Sequence, residues 1–288
     1  MNPLLTKQND IELIKLLKAS TVAYKKAKYW EIRITYFLIF LAVAYPISYI
    51  FIPDEEVRLF LFGCSFGLTA LVQLYYNTFK GNTSKGAMFK EEFDVLLFAL
   101  PWKSTLKKAD NKEVSNLSTQ YKGTEIRDWY STNLTENIPK NIAIAVCQYS
   151  NTGWDIDLRK KYLTCLKGFL ILYSIALSVF FVVMDVGGLT IFSISFSILS
   201  FYTHFFTIIR GHYSVIEKRE AISKKLDDII MNKKEITTEE LRDIQDDIYI
   251  TRQEPAKVPN FFFRWYKKRL NAIFEDYIET VNKTYSIK

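Results

Sequence analysis

The chain has 288 residues, of which 24% are charged and 49% are hydrophobic, with a net charge of +7. These averages conceal long stretches without any charged residue, and a helix in a soluble core is rarely apolar on every face over such a length. A wholly soluble protein is therefore disfavoured. Three cysteines without a C-x-x-C pair and only two histidines also argue against a structural metal site, and we expect neither metal nor cofactor.

The N-terminal segment, residues 1–33, has a one-sided apolar stripe typical of an amphipathic helix. Asn9 or Asp10 can cap this helix, and it is expected to continue into the first membrane span. It does not resemble a cleavable signal peptide, which would have a short basic start and an apolar centre. We expect it to stay attached and to lie in the cytoplasm.

Four uncharged stretches follow at 34–52, 59–77, 168–184 and 189–209. Each approaches the length of about 20 helical residues that crosses a bilayer. The prediction is an all-α fold with a four-helix transmembrane module in two hairpins, 34–77 and 164–209. A cytoplasmic loop domain, 78–163, and a C-terminal cytoplasmic domain, 210–288, complete the chain.

The distribution of basic residues predicts the topology, because lysine and arginine are retained on the cytoplasmic side. The joints after the first and third spans are short and acidic, and Arg58 would be the only one of 38 basic residues outside. Both termini are then cytoplasmic. The positive charge is explained by orientation and by attraction to an anionic inner leaflet, so DNA or RNA is not an expected partner.

The cytoplasmic parts are predicted to be helical, with breaks at 81–84 and 150–153. In the tail, helices are predicted over 211–232, 237–252 and 261–285. Thr237 and Glu240 have the spacing of a capping box at the start of the second of these helices.

No catalytic motif stands out, so we expect no catalytic residues and no enzymatic activity. Arginines instead alternate with aromatic residues, an arrangement that can pair with phosphate and stack on a base. The same residue types also anchor helices at lipid headgroups, so both interpretations stay open. The candidates for a nucleotide site are Arg127, Trp129, Tyr130, Trp154, Arg159 and Arg252.

The fourth stretch carries polar residues at spacings of three and four, which would place them on one helical face as a continuous polar stripe. They are Thr190, Ser193, Ser197, Ser200, His204 and Thr207. Residues 65, 69, 73 and 77 form a similar series in the second stretch. Such stripes either pack helices together or line a pore built from several subunits, and the sequence leaves both possibilities open.

Several segments together resemble the SMODS-associated four-transmembrane effector family. They are QN-x(3)-LIKLLKAS-x(3)-Y-x-x-AK at 8–28, EEFDVLLFALPW at 91–102, WYS at 129–131 and IQDDIYITRQEPAKVPNFFF at 244–263. The two pairs of membrane spans lie between these segments in the same order, so the likeness covers essentially the whole chain.

The resemblance implies an effector of the cyclic-oligonucleotide-based antiphage signalling system, CBASS. Such an effector would sense a cyclic di- or trinucleotide, assemble as a homo-oligomer and permeabilise the bacterial inner membrane, which causes abortive infection. The alternative from another class is a membrane scaffold or accessory subunit that binds a protein partner through its cytosolic helices.

Overall fold

The computed structural model describes the backbone of residues 2–286, and the side chains in that range except at positions 55, 59, 62, 65, 66, 68–79 and 154. This part of the chain contains a short 3-10 helix, Pro3–Asn9, eight α-helices and no strand, so the all-α prediction is confirmed. The α-helices are α1 Ile11–Phe51, α2 Glu55–Phe98, α3 Asn111–Thr119, α4 Lys140–Val183, α5 Gly188–Ser197, α6 Leu199–Met231, α7 Thr238–Gln253 and α8 Asn260–Ser286.

Three helices are much longer than a membrane span. Helix α1 has 41 residues, and α2 and α4 have 44 each. At 1.5 Å per residue they are about 60–65 Å long, roughly twice the hydrocarbon thickness of a bilayer. Each is therefore long enough to combine a membrane span with an extension outside the bilayer, and the predicted continuation of the N-terminal helix into the first span is confirmed.

The predicted breaks at 81–84 and 150–153 are wrong, as is the predicted helix start at 211. Helices α2, α4 and α6 run through these positions without interruption. A glycine within a helix costs only about 1 kcal/mol, which tertiary packing can outweigh. A Cβ at Gly211 would lie 2.9 Å from the Cβ of Ala256, so glycine allows the segment before α8 to approach α6 closely.

The predicted helix ends in the tail are largely confirmed. The side chains of Thr237 and Glu240 form the expected capping box at the start of α7. The turn after α6 contains Lys233 in a left-handed conformation, with φ of 52°. A linker over residues 254–259, which contains two prolines, separates α7 from α8. The tail thus consists of the end of α6 followed by two separate helices.

The fourth apolar stretch is bent rather than straight. Helices α5 and α6 meet at Ile198 with an angle of 44°. The hydroxyl groups of Ser193 and Ser197 donate hydrogen bonds to the carbonyl oxygens four residues earlier, at 3.0 and 2.9 Å. Hydroxyl groups bonded in this way often bend helices. Both bonds lie in the turns directly before the bend.

The membrane region is built from two helical pairs. Helix α1 packs mainly against α2, and α4 mainly against α6. Among the described residues, α1 and α4 are long and apolar enough to cross a membrane, and α5 with α6 would form a third, bent span. Most side chains of the stretch 59–77 in α2 lie outside the described set.

Large apolar side chains cover the outer surface of these helices. Leu172, Val182 and Leu189 are 69%, 80% and 72% exposed. On the inner side, Leu38, Leu166 and Phe201 belong to one buried cluster. Apolar groups on both sides of a helix are characteristic of lipid-facing segments.

Candidate functional site

A cavity of about 740 Å³ lies among residues outside the four uncharged stretches, and we call it the basic cavity. Its walls come from α1, α2, the segment 125–131, α4, α6, α7, the linker and α8. Among the described residues, eight basic side chains line it against four acidic ones. The basic residues are Lys28, Lys90, Arg127, Arg159, Arg219, Arg252, Lys257 and Lys267. The cavity therefore has the size of a small-molecule site and a charge that favours anions.

A buried ion-pair network joins α2 to α7 at one wall of the cavity. Asp94 accepts hydrogen bonds from Arg252 Nη2 and from the Tyr130 hydroxyl group, both at 2.6 Å. Glu91 accepts a bond of 2.7 Å from Arg242 Nη2. Burial would disfavour the charge on Arg252, but Asp94, Tyr130 and Glu91 outweigh it and raise the pKa of this guanidinium group. Arg252 is therefore a fixed positive charge.

A second buried cluster lies between α4 and α6. Asp155 pairs with Arg219 at 2.6 Å and also with Arg159. Burial alone would raise the pKa of Asp155, but the two arginines outweigh burial and lower it. Arg159 also donates to His212 Nδ1 at 2.9 Å, and burial together with Arg159 lowers the pKa of His212 to about 3. The cluster thus contains two guanidinium groups for one carboxylate and keeps the imidazole neutral.

The segment that carries Trp129 is held against the N-terminal 3-10 helix. Asp128 has a φ of 46°, a left-handed conformation that aspartate tolerates better than most residues. Its backbone N–H donates to Asn9 Oδ1 at 2.9 Å, and the backbone N–H of Tyr130 donates to Gln8 Oε1 at 2.8 Å. These bonds fix Trp129, which is 43% exposed, at the edge of the cavity.

Lys90 on α2 is a buried basic residue of the cavity wall. Its side chain is 7% exposed, and its ammonium group has no hydrogen-bond partner in the part of the chain that the structure describes. The nitrogen lies 3.3 Å from the centroid of the Trp129 ring. Burial lowers the pKa of Lys90 well below its ordinary value, Arg252 lowers it further, and Asp94 opposes both. An anionic group in the cavity would supply the missing acceptor.

The structure brings most of the predicted nucleotide-site residues together. Arg127, Trp129, Tyr130, Arg159 and Arg252 all line the basic cavity. Their environments differ, because the Arg127 side chain is exposed while Arg159 and Arg252 are buried in ion pairs.

The side chain of Trp154, the remaining candidate, lies outside the described set.

The polar series of the fourth stretch is divided between two helices by the bend at Ile198. Thr190, Ser193 and Ser197 belong to α5, whereas Ser200, His204 and Thr207 belong to α6. His204 Nε2 lies 2.9 Å from Thr35 Oγ1 on α1. Within one chain, this pair contributes to helix packing.

Sequence reasoning missed several residues of the cavity, Lys90 and Lys257 in particular. Lys90 follows Phe89 on α2, and Phe89 is fully buried. The only signal available in the sequence was therefore that Lys90 lies beside an apolar face of its helix. Lys257 lies between the two prolines of the linker. Its ammonium group donates to the carbonyl oxygen of Arg252 at 2.9 Å, a contact that depends on the tertiary fold.

Comparisons with known proteins agree with the architecture. The chain is 30% identical over 189 residues to a Bacillus cereus (strain VD146) protein named "Probable CBASS effector molecule". The match covers 59% of this chain and 60% of that relative, so it spans less than two thirds of the relative's length. No solved structure matches the chain significantly. The family described as "SMODS-associating 4TM effector domain" matches residues 2–281, and the chain therefore belongs to this family of antiphage effectors.

Proposed function

We propose that this protein is a non-enzymatic CBASS effector that binds a cyclic di- or trinucleotide in the basic cavity. The observation that carries the proposal is the buried amine of Lys90, which has no hydrogen-bond partner among the described residues and lies 3.3 Å from the centroid of the Trp129 ring. A phosphodiester would provide the acceptor, and a base would find an aromatic face at Trp129. The family membership and the name of the Bacillus cereus relative favour the same activity.

Binding would act on the membrane helices because the cavity wall includes α1, α4 and α6. These helices contribute Tyr24, Arg159 and Arg219 to the wall, one residue each in that order. A ligand that touches all three changes their arrangement only if it binds one arrangement better than another. We propose that the nucleotide favours an assembled form in which several copies permeabilise the bacterial inner membrane, with both termini in the cytoplasm. Abortive infection would follow from the loss of the membrane barrier.

Purified protein in liposomes provides the direct test, with dye leakage and nucleotide binding measured for a panel of cyclic di- and trinucleotides. Lys90→Met should abolish both binding and nucleotide-dependent leakage. Lys85→Met is the matched control, because Lys85 lies on the same helix but pairs with Glu113 and does not line the cavity. The proposal is contradicted if the wild-type protein binds no member of the panel. It is also contradicted if the protein binds a nucleotide without leakage and instead retains a protein partner.

A second pair of variants tests whether the polar residues of the fourth span form part of the conduit. Thr207 is exposed and Ser197 is buried. Thr207→Leu should therefore leave folding intact and reduce leakage, whereas Ser197→Leu would overpack the helix interface and cost about 1–3 kcal/mol. Unchanged leakage in Thr207→Leu, with normal nucleotide binding, would remove this residue from the conduit.

A further inference from the structure

A second cavity lies where the cytoplasmic part meets the membrane helices, and we call it the apolar cavity. Its volume is about 250 Å³, and it lies between α1, α4, α6 and the start of α8. Ile39, Leu166 and Phe205 are among its apolar lining residues. A cavity of about 150 Å³ with similar walls is large enough for benzene, so this one has room for a segment of an alkyl chain.

The mouth of the apolar cavity lies at the level where the spans begin. Tyr36, Cys165 and Phe169 line the cavity and are exposed on the molecular surface. They lie near the cytoplasmic ends of the first and third spans, the depth of the inner-leaflet headgroups and upper acyl chains. A chain from that leaflet can therefore reach the cavity without leaving the bilayer.

The cytoplasmic end of the apolar cavity is polar and mainly basic. Lys28, Lys257 and the buried Glu31 line this end. The Lys28 ammonium group donates to Asn260 Oδ1 at 2.8 Å, and that of Lys257 donates to a backbone carbonyl oxygen at 2.9 Å. Each side-chain amine keeps donor capacity beyond the one bond used in these contacts. Burial lowers the pKa of both lysines, that of Lys257 well below its ordinary value, and an anionic group at this end would favour their charged forms. Two amines thus retain hydrogen-bonding capacity for an acidic group at the end of an apolar pocket.

We propose that the apolar cavity binds one acyl chain of an anionic glycerophospholipid from the inner leaflet, with its phosphate group held by Lys28 and Lys257. The lining matches both parts of such a lipid, an apolar chain and an acidic headgroup. Burial raises the pKa of Glu31 to about 7, although Lys257, Lys28 and Arg159 act to lower it. The carboxyl group is therefore partly neutral near pH 7 and opposes the phosphate less than an ordinary glutamate would.

The native thiol of Cys165 can report on occupancy. Of the three cysteines, Cys64 and Cys165 are exposed and Cys147 is buried, so Cys64→Ser leaves Cys165 as the accessible thiol. This full-length variant would be placed in nanodiscs of phosphatidylcholine, with or without phosphatidylglycerol, and its maleimide labelling rate measured. Phosphatidylglycerol should slow the labelling several-fold, and inorganic phosphate, which has no acyl chain, should not.

Two further variants separate a specific site from ordinary lipid contact. Ile39→Trp fills the cavity and should abolish the dependence on phosphatidylglycerol. Ile47 is exposed on the same helix and lies outside the cavity. The Ile47→Trp variant should therefore retain the dependence on phosphatidylglycerol. Lys28→Gln should weaken the preference for phosphatidylglycerol roughly fivefold, the effect of about 1 kcal/mol per basic residue near an anionic membrane surface.

Native mass spectrometry of the extracted protein provides a second measurement, which should detect retained phosphatidylglycerol in the Cys64→Ser protein but not in its Ile39→Trp derivative. Equal protection of Cys165 by phosphatidylcholine alone, or no protection by either lipid, would overturn the proposal. Lys28 and Lys257 line both cavities, but none of these measurements requires a nucleotide. They therefore test the lipid site separately from the proposed sensing function.

Discussion

Replacing Lys90 by methionine should leave the fold about as stable as before, or more stable, while it removes ligand binding. Methionine keeps the apolar stem of the side chain in place but removes the buried ammonium group. An unsatisfied buried donor costs about 1–3 kcal/mol, and the contact with Trp129 returns about 0.5–2 kcal/mol. The net change lies between about 1 kcal/mol of destabilisation and about 2.5 kcal/mol of stabilisation.

Thermal unfolding in detergent, followed by circular dichroism, measures this balance. For a chain of this size, 1 kcal/mol corresponds to roughly 2–4 °C in Tm. A nucleotide at one hundred times its Kd should add about 2.7 kcal/mol to the stability of the wild type and nothing to that of Lys90→Met. If the ligand-free variant loses more than about 2 kcal/mol, Lys90 has a structural role and the reasoning from its missing acceptor is wrong.

Three further predictions concern the residues around the two cavities. Asp94→Ala should destabilise the protein by about 3–5 kcal/mol, because it leaves the buried charge of Arg252 without its main partner. Denaturant titration measures this loss, and a loss below about 1 kcal/mol would argue against the network. Gly211→Val should cost about 1–3 kcal/mol through its clash with the linker and should speed proteolysis there. Gly168→Val should not, because a Cβ added at Gly168 meets no atom of another segment within 4 Å. Burial raises the pKa of Glu31 from 4.5 to about 7, so the wild type should lose stability relative to Glu31→Gln as the pH rises through this interval, by up to about 1.4 kcal/mol per pH unit. Parallel unfolding curves of wild type and Glu31→Gln from pH 5 to about 8 would contradict the last prediction.

The fold was predictable where local rules and membrane physics agree. Uncharged stretches of sufficient length and a capping box at Thr237 depend on the sequence near them, and both appear in the structure. Helix continuity was not predictable in this way. The hydroxyl group of Ser223 on α6 donates to Thr152 on α4 at 2.8 Å, within one of the segments predicted to break. Such contacts between distant segments stabilise a helix that local propensity disfavours.

The candidate site was predictable in part for a related reason. Alternating arginines and aromatic residues indicated the segment around Trp129, because that signal depends on residue type alone. The importance of Lys90 depends on its burial and on its distance from Trp129, which is 39 positions away in the sequence. An ordinary lysine on a helix is solvated, and nothing in the nearby residues distinguishes this one from Lys85, which forms a half-exposed ion pair.

The continuity of the long helices has a mechanical consequence for the proposed effector. Helices α1 and α4 contribute Tyr24 and Arg159 to the basic cavity and continue into the membrane without a break at its surface. A rigid helix transmits a rotation of its cytoplasmic half to its membrane half, whereas a flexible joint would absorb it. Among the described apolar segments, the helix is interrupted at Ile198, which lies within the fourth span. Rearrangement at the cavity would therefore reach the bilayer through α1 and α4, and the bend between α5 and α6 is where the membrane module can accommodate it.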